Sequence, residues 1–363
     1  MKQSTQPVRS VIGIDLGDRY SYLHELDMAT GETLSQTRIS TSPADFRDHF
    51  NAVANARIAL EVGAHSPWSS HLLEELGHQV VVANPRTLAL IHSSNRKRDE
   101  LDAEKLARLA RLDPKLMSPI RHRSMPVQAD RARLKAREAL VKTRTGLITH
   151  VRNLVKAFGV KLPTCASTCF HKRVLEHLPE SLKPAIKPIL ESLKVISRQV
   201  YEMEKDLRRL AVERYPETFK LRQVVGVGPI LSLAFVLTLE DPKRFRTSRD
   251  VGAYLGLVPQ QRQSGNRDPG LGISKQGDKM LRVLLVQGAQ YQLGRFGPDC
   301  DLKRFGLRMA EAGGRHGKKR AIIAVARKLS VLLHRLWTTG EVYDPFYNSN
   351  TQGVSTEQAE ITA

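Results

Sequence analysis

Apolar and polar residues alternate along the first third of the chain in a way that predicts strands and helices in turn. A continuous apolar segment starts near Arg9 and ends at glycine, and two further apolar segments follow after short turns, which predicts three strands in a meander. The apolar segments RIALEV (57–62) and HQVVVAN (78–84) predict two more strands, between amphipathic helical patterns. Strands that alternate with helices after a meander predict an α/β domain built on a mixed sheet over residues 1–112. The helical patterns lie over SPADFRDHF, PWSSHLLEELG and DAEKLARLARL.

A heptad repeat marks the middle of the chain. Its seven apolar residues have the alternating four- and three-residue spacing of an a/d seam: Ile189, Leu193, Ile196, Val200, Met203, Leu207 and Leu210. An earlier apolar pattern is compatible with a second long helix: Leu140, Leu147, Val151, Leu154 and Phe158. We therefore expect residues 113–216 to form a linker and two long helices, either an antiparallel coiled-coil arm or a dimerising element. Residues 217–345 predict a compact, mainly helical module, and residues 346–363 predict a polar, disordered tail.

Positive charge is concentrated in the later part of the chain. The 363 residues include 57 Lys and Arg against 37 Asp and Glu, which gives a net charge of +20. Residues 1–112 hold 13 basic and 14 acidic residues, so the excess lies entirely in residues 113–363, where 44 basic residues stand against 23 acidic ones. Such segregation indicates a body that lies on a polyanion, most simply nucleic acid. Because no apolar run reaches the roughly 18 residues of a membrane span and no signal-peptide pattern opens the chain, we expect a cytoplasmic protein without membrane contact.

Four carboxylates occupy the positions that an α/β sheet exposes to ligands. Asp15 ends one apolar strand and Glu61 ends another, while Asp99 and Asp102 share one face at the start of a helix. Four acids that converge on one point repel each other strongly unless cations lie among them. The pattern therefore predicts a site for a hard divalent cation, Mg²⁺ or Mn²⁺, of the kind that supports phosphoryl transfer. The alternative is that these acids cap a helix or lie on the surface.

Together these segments resemble the DEDD transposases of bacterial insertion sequences, whose first domain is similar to the RuvC Holliday-junction resolvase. The resemblance rests on GIDLG with Asp15, ALEVGA with Glu61, VVANP, KRDELDAEKLA with Asp99 and Asp102, VVGVGPILSLAFVL, and the later GLVPQQRQSG and SKQG signatures. It implies an α/β RNase H-like N-terminal domain, a coiled-coil helical middle and a mainly α C-terminal transposase domain. One small departure is Lys97-Arg98-Asp99, where the family often has Lys-Thr-Asp.

The same resemblance implies a function for one serine in the later part of the chain. Ser264 lies in a polar, glycine-flanked segment between Arg262 and Arg267, where the residues alone predict a solvated turn. In the family this serine is the proposed nucleophile that becomes covalently joined to DNA, which implies the same role here.

Arg262 and Arg267 beside Ser264 are expected to contact the nucleic-acid backbone. Other basic residues are expected to do so because they cluster near predicted helix starts. They are Lys275, Lys279 and Arg282 in ISKQGDKMLR, and Arg315, Lys318, Lys319 and Arg320 in GGRHGKKR. The segment GVGP (226–229) resembles the hairpin of helix-hairpin-helix modules and is equally compatible with an ordinary tight turn.

The resemblance implies a transposase that excises and inserts its own element and is associated with the bacterial nucleoid when active. It further implies DNA partners at the element ends and the target, a structured guide RNA, and a dimer or tetramer in which the acids of one protomer meet the serine of another. Guidance by RNA would explain why the chain has no recognisable base-reading module.

Two other functions compete with this interpretation. A resolvase-type endonuclease needs the four acids and water, but neither Ser264 nor the coiled coil. A sugar-kinase or actin-like ATPase also opens with a GIDLG strand and hairpin, but it needs later nucleotide loops that the sequence lacks. The cysteines suggest no further chemistry, because Cys165, Cys169, His171 and His177 match no common zinc spacing.

Overall fold

The computed structural model describes residues 8–85, 99–260 and 271–349. It divides the chain into two compact units, Met1–Pro126 and Val127–Ala363. Within the described residues, no helix is both long and apolar enough to cross a membrane.

The first unit is built on a five-stranded mixed sheet in the order β3-β2-β1-β4-β5. Its first three strands form the predicted antiparallel meander, and β4 and β5 run parallel to β1. The strands are β1 (Ser10–Leu16), β2 (Tyr20–Asp27), β3 (Thr33–Ser40), β4 (Ala56–Glu61) and β5 (Gln79–Ala83). This confirms the prediction of a mixed α/β sheet domain at the start of the chain.

Helices cover both faces of this sheet because successive strand residues point to opposite sides. The helices α1 (Pro43–Asn51) and α2 (Ser66–Glu75) belong to one apolar core with the even-numbered residues of β1, which are Ile12 and Ile14. The helix α3 (Asp99–Leu112) lies against the other face, where the contacting side chains are small. They include Ala59 on β4 and Ala103, Ala107 and Ala110 on α3, all fully buried.

The predicted linker after residue 112 begins as part of the first unit. A 3₁₀ turn, Pro114–Met117, buries Met117 completely against the α3 side of the sheet. The backbone N–H of Ile120 then donates to Val82 O at 2.9 Å, so the segment pairs briefly with β5. Apolar residues spaced three apart in a short segment carry no periodic signal, which is why the sequence pattern suggested only a connection.

Two helices of 32 residues each begin the second unit, α4 (Met125–Lys156) and α6 (Lys183–Arg214). They run antiparallel, since Arg137 in the first half of α4 forms an ion pair with Glu204 in the second half of α6, beside an apolar core that includes Leu134 and Leu207. At the opposite end Val151 and Leu190 belong to a second apolar core. The seven seam residues are buried or half-buried along α6, as the heptad spacing predicts. The connection between the two helices contains the short α5 (Phe170–Arg173) and two 3₁₀ turns, Leu175–His177 and Glu180–Leu182.

A buried polar cluster joins the base of this helix pair. Asp130 of α4 is 1% exposed, and it accepts a hydrogen bond from Tyr215 Oη at 2.7 Å. Arg214 Nη1 lies 2.8 Å from the same carboxylate oxygen. Burial, followed by the hydrogen bond to Asp130, raises the pKa of Tyr215 to about 12. The phenol therefore keeps its proton, and with it the hydrogen bond to Asp130, at alkaline pH values near 10 to 11 where an exposed tyrosine ionises.

The rest of the second unit is a helical module around a mostly apolar helix, α8 (Pro229–Leu239), in which every residue from Leu231 to Leu239 is buried, including the hydroxyl-bearing Ser232 and Thr238. Such a helix has no polar face because neighbours cover it on all sides. The other helices are α7 (Glu217–Leu221), α9 (Asp250–Tyr254), α10 (Lys279–Leu293), α11 (Asp301–Ala312) and α12 (Gly317–Thr339), with 3₁₀ turns at Pro242–Arg244 and Gly314–His316. This confirms that the remainder of the chain is mostly helical.

Candidate active site

Asp15 and Glu61 lie side by side at the carboxyl ends of two neighbouring parallel strands. The register of β1 and β4 pairs Gly13 with Ala59 and Ile14 with Leu60, and the two acids are the next residues in each strand. Gly13 and Ala59 both face α3. Because side chains alternate along a strand, Asp15 and Glu61 project toward this same face of the sheet.

The helix α3 runs opposite to β4 and thereby carries its acidic start toward the same corner. Arg57 Nη1, near the beginning of β4, donates to Ala110 O at 3.0 Å near the end of α3. Ala103 lies over Gly13 in the middle of β1. Asp99 precedes Ala103 by four residues, or about 6 Å along a helix. Asp15 follows Gly13 by two residues, or about 7 Å along a strand, so helix start and strand end extend in the same direction.

Asp99 and Asp102 also continue the stripe of α3 that faces the sheet, because they precede the buried Leu106 by seven and four residues. The fold thus brings all four predicted acids to one corner of the first unit. Among the described residues, however, no three His, Cys, Asp or Glu side chains approach closely enough to hold a metal ion. The Asp102 carboxylate instead lies 3.4 Å from Lys105 Nζ, one turn along the helix.

The donor set nevertheless suits a hard divalent cation, because it consists entirely of carboxylate oxygens. The small residues Gly13 and Ala103 let α3 lie close to β1, which keeps the four acids in the same region. The N-terminus of α3 adds a partial positive charge that eases the accumulation of negative charge at this corner. Asp102 would exchange its contact with Lys105 for the cation.

A histidine at the same corner, His65, was not predicted from the sequence. His65 follows Glu61 by four residues, accepts a hydrogen bond from Trp68 Nε1 at 3.2 Å through Nδ1, and approaches Asp18 with Nε2 at 3.2 Å. Because Nδ1 is an acceptor, the neutral ring carries its proton on Nε2 and donates it to Asp18. Isolated histidines after a strand are common, so the sequence pattern alone predicts no functional site at His65. Its position four residues after Glu61 is the one signal that could have identified it.

The serine segment lies outside the described residues, and so do its neighbours. Ser264, Arg262 and Arg267 fall within 261–270. The two ends of that segment are held together, since Gln260 N donates to Gly272 O at 2.9 Å.

Two glycines allow the loop after this segment to lie directly on the end of α9. Gly256 and Gly277 have φ angles of +67° and +77°, and a Cβ on Gly277 would come within 2.0 Å of Tyr254 O. Arg282 closes the loop from α10, because its Nη1 donates to both Leu255 O and Gln276 O at 2.9 Å. These bonds give Arg282 a part in holding the loop.

We expect Gly277→Ala to destabilise the second unit by about 3 kcal/mol, because the left-handed backbone and the contact with Tyr254 both oppose a side chain. Gly272→Ala is the matched control, since a Cβ at Gly272 meets nothing within 4 Å. Urea unfolding of both variants measures the difference. Equal midpoints for Gly277→Ala and wild type would contradict this account of the loop.

The other predicted nucleic-acid contacts are exposed on the second unit. Lys275 and Lys279 lie at the loop and at the start of α10, and Lys275 is one of three described non-glycine residues with a positive φ. Arg315, Lys318 and Lys319 are exposed where α12 begins. Arg320 is exposed as well and donates to Gly313 O at 2.6 Å. The cations near α12 are therefore accessible to an anionic partner.

Comparison with known proteins finds two family matches in the chain. A transposase domain of the DEDD type found in IS110 matches residues 12–159, and the transposase IS116/IS110/IS902 family matches residues 220–303. The first match spans the four acids.

Several relatives match along most of their length. The transposase for insertion sequence element IS1111A of Coxiella burnetii is 28% identical over 348 residues, 92% of this chain and 91% of the relative. The transposase for insertion sequence element IS1328 of Yersinia enterocolitica is 29% identical over 346 residues, 93% and 99% of the two chains. The putative transposase y4rJ of Sinorhizobium fredii is 30% identical over 313 residues, 78% and 77% of the two chains.

Proposed function

The chain belongs to the IS110 family of insertion-sequence transposases, and on that premise we propose that it cuts and rejoins DNA through a serine nucleophile assisted by a divalent cation. The observation that supports this most directly is that the register of β1 and β4 and the direction of α3 carry Asp15, Glu61, Asp99 and Asp102 toward one corner of the first unit. The antiparallel meander followed by parallel strands also supports an RNase H-like fold for the first unit. A DEDD-type domain suggests divalent metal use, and we propose Mg²⁺ or Mn²⁺ bound by these four carboxylates.

In the proposed reaction Ser264 Oγ attacks phosphorus in a DNA strand. A bond forms between Oγ and phosphorus, the bond from phosphorus to one deoxyribose oxygen breaks, and that oxygen takes up a proton while the serine proton passes to a base. The phosphoserine ester conserves the energy of the broken phosphodiester bond for the rejoining step, so no external energy source is required. A bound cation would supply charge stabilisation at the reacting oxygens.

We further propose that element-encoded RNA selects the DNA sites and that the protein acts as a dimer or tetramer. The segregated positive charge of residues 113–363 provides the polyanion-binding surface this requires. Sequencing the RNA that copurifies with the full chain tests the first point. RNA that does not map to the element would contradict it.

A recombination assay tests the proposed function. Full-length protein, transcribed element RNA, Mg²⁺ and DNA carrying the element junction and a target should yield joined products. We expect Asp102→Asn to lower product formation at least about 100-fold, because even outer-sphere changes at metal sites cost 10- to 100-fold. Glu100→Gln is the matched control: it removes one charge from the same helix turn and lies outside the four-acid set. Equal losses in both variants would contradict a specific role for Asp102.

A further inference from the structure

An open cleft of about 640 Å³ lies on the second unit, beside the loop that follows residues 261–270. Its volume is in the range that holds a small ligand or one nucleotide unit. The polar side chains that line it are two amides, a hydroxyl and a guanidinium, from Gln260, Ser274, Gln276 and Arg327. Among the described residues that line it there is no carboxylate, so the cleft offers hydrogen-bond donors and one positive charge. This composition suits an anion.

Arg327 is held in place across α9 by packing. A Cβ on Gly252 would come 3.1 Å from Arg327 Cγ and 3.4 Å from its Nε, so the absence of a side chain there makes room for the arginine. Arg335, two turns later in α12, forms an ion pair with Glu341 at 3.0 Å. No carboxylate in the described part of the chain forms such a pair with Arg327. An exposed guanidinium that is positioned but not neutralised is available to a ligand.

Ser274, which also lines the cleft, adds a second observation. Its backbone N–H donates to Val258 O at 2.8 Å, which fixes the residue beside the cleft. Its hydroxyl oxygen is shielded from solvent and has no hydrogen-bond partner among the described residues. Leaving a shielded hydroxyl without a partner is unfavourable, and an anionic ligand in the cleft would supply an acceptor.

We propose that this cleft binds one phosphodiester group of a DNA strand, with Arg327 donating to its non-bridging oxygens. The inference rests on the proposed function for the identity of the strand. Gln260 is the last described residue before the segment with Ser264, which is four residues further on and hence within about 14 Å along the chain. A phosphodiester held by Arg327 therefore lies within reach of the serine. The guanidinium would neutralise the charge that develops on the non-bridging oxygens during attack.

Binding of a single phosphodiester tests the cleft without any need for recombination. The probe is the dinucleotide thymidylyl-thymidine, with its uncharged methylphosphonate analogue as the comparison ligand. Wild type should bind the phosphodiester, and Arg327→Met should weaken that binding about tenfold or more, the usual contribution of a charged hydrogen bond. Wild type and Arg327→Met should bind the methylphosphonate with equal affinity. Equal affinity of wild type and Arg327→Met for the phosphodiester would overturn the proposal.

Lys328→Met is the matched control. It removes one positive charge from the next position of α12. Lys328 Nζ lies 4.3 Å from the centre of the Phe305 ring, and neither residue is among those that line the cleft. This variant should bind the dinucleotide within about twofold of wild type, because an exposed charge elsewhere contributes little. An equal loss in both variants would show a general charge effect and would also overturn the proposal.

A second arm measures covalent adduct formation on recombination substrates. Arg327→Met should reduce the adduct about 100-fold with a normal phosphodiester at the cleavage site. With a methylphosphonate at that site the two proteins should differ by less than about threefold, since the charge that Arg327 neutralises is gone. The same loss on both substrates would overturn the assignment. If wild type forms no adduct on any substrate, the proposed function fails, and the dinucleotide titration alone decides whether the cleft binds phosphodiester.

Discussion

Ser264→Ala is expected to abolish both strand exchange and the protein-linked DNA that the proposed reaction predicts for wild type. The proposed reaction has one oxygen that forms the bond to phosphorus, so removing it removes the intermediate. Denaturing gels with end-labelled DNA measure the adduct, and amplification across the new junction measures exchange. We expect no detectable product, while DNA and RNA binding stay within about twofold, because a single hydroxyl in a polar segment contributes little to stability.

Ser192→Ala serves as the control for removing a serine hydroxyl from the second unit, because Ser192 lies on α6 and its hydroxyl donates to Pro188 O of the same helix, and it should keep adduct formation. If Ser264→Ala still cuts DNA and leaves free ends, water is the nucleophile and the resolvase-type mechanism applies. Cysteine at position 264 is informative as well, because a thiol provides a nucleophilic atom and should restore some adduct.

Gly13→Ala is expected to have the largest effect on the first unit. A Cβ at this position would lie 2.0 Å from Ala103 O and 2.5 Å from Ala107 N, and these are backbone atoms that can give way only if α3 moves. Forcing extra atoms into such a contact costs about 3 kcal/mol. The displaced helix carries Asp99 and Asp102, and a misplacement of about 1 Å is enough to lower a reaction rate about 100-fold.

Calorimetry and the recombination assay together measure this effect. Gly63→Ala provides the comparison for stability, because a Cβ on Gly63 meets nothing within 4 Å. We expect its melting temperature to match wild type. A Gly13→Ala protein that melts like wild type and recombines normally would show that α3 does not depend on close contact with β1.

The sequence predicted the mixed sheet well because the alternation of strand residues and the glycine-bounded turns are local signals. The positions of Asp15 and Glu61 at strand ends follow from the same pattern. Their side-by-side register depends on how β1 and β4 pair, which is a long-range property that spacing along the chain does not determine. The close approach of α3 to β1 depends on the small residues Gly13 and Ala103. Their role cannot be predicted from the sequence, because it depends on the contact between the folded helix and strand.

Other features depend on contacts that no local pattern announces. The position of Arg282 near a helix start predicts a phosphate contact, but the sequence pattern does not predict that its Nη1 also donates to two backbone carbonyls. Met117 packs on the sheet from a segment that is too short to show periodicity. The heptad spacing of α6 identified its buried face, whereas its pairing with α4 is shown by contacts between the helices such as the ion pair of Arg137 with Glu204.

The buried joint at Asp130 gives the paired helices a mechanical property. Each helix has 32 residues and so extends about 48 Å, and Asp130, Arg214 and Tyr215 hold them together at one end. A rotation of about 5° at this joint would move the far end by about 4 Å. The length of the pair would therefore convert a small angular change at the joint into a displacement of Arg152 and Lys156 at its far end.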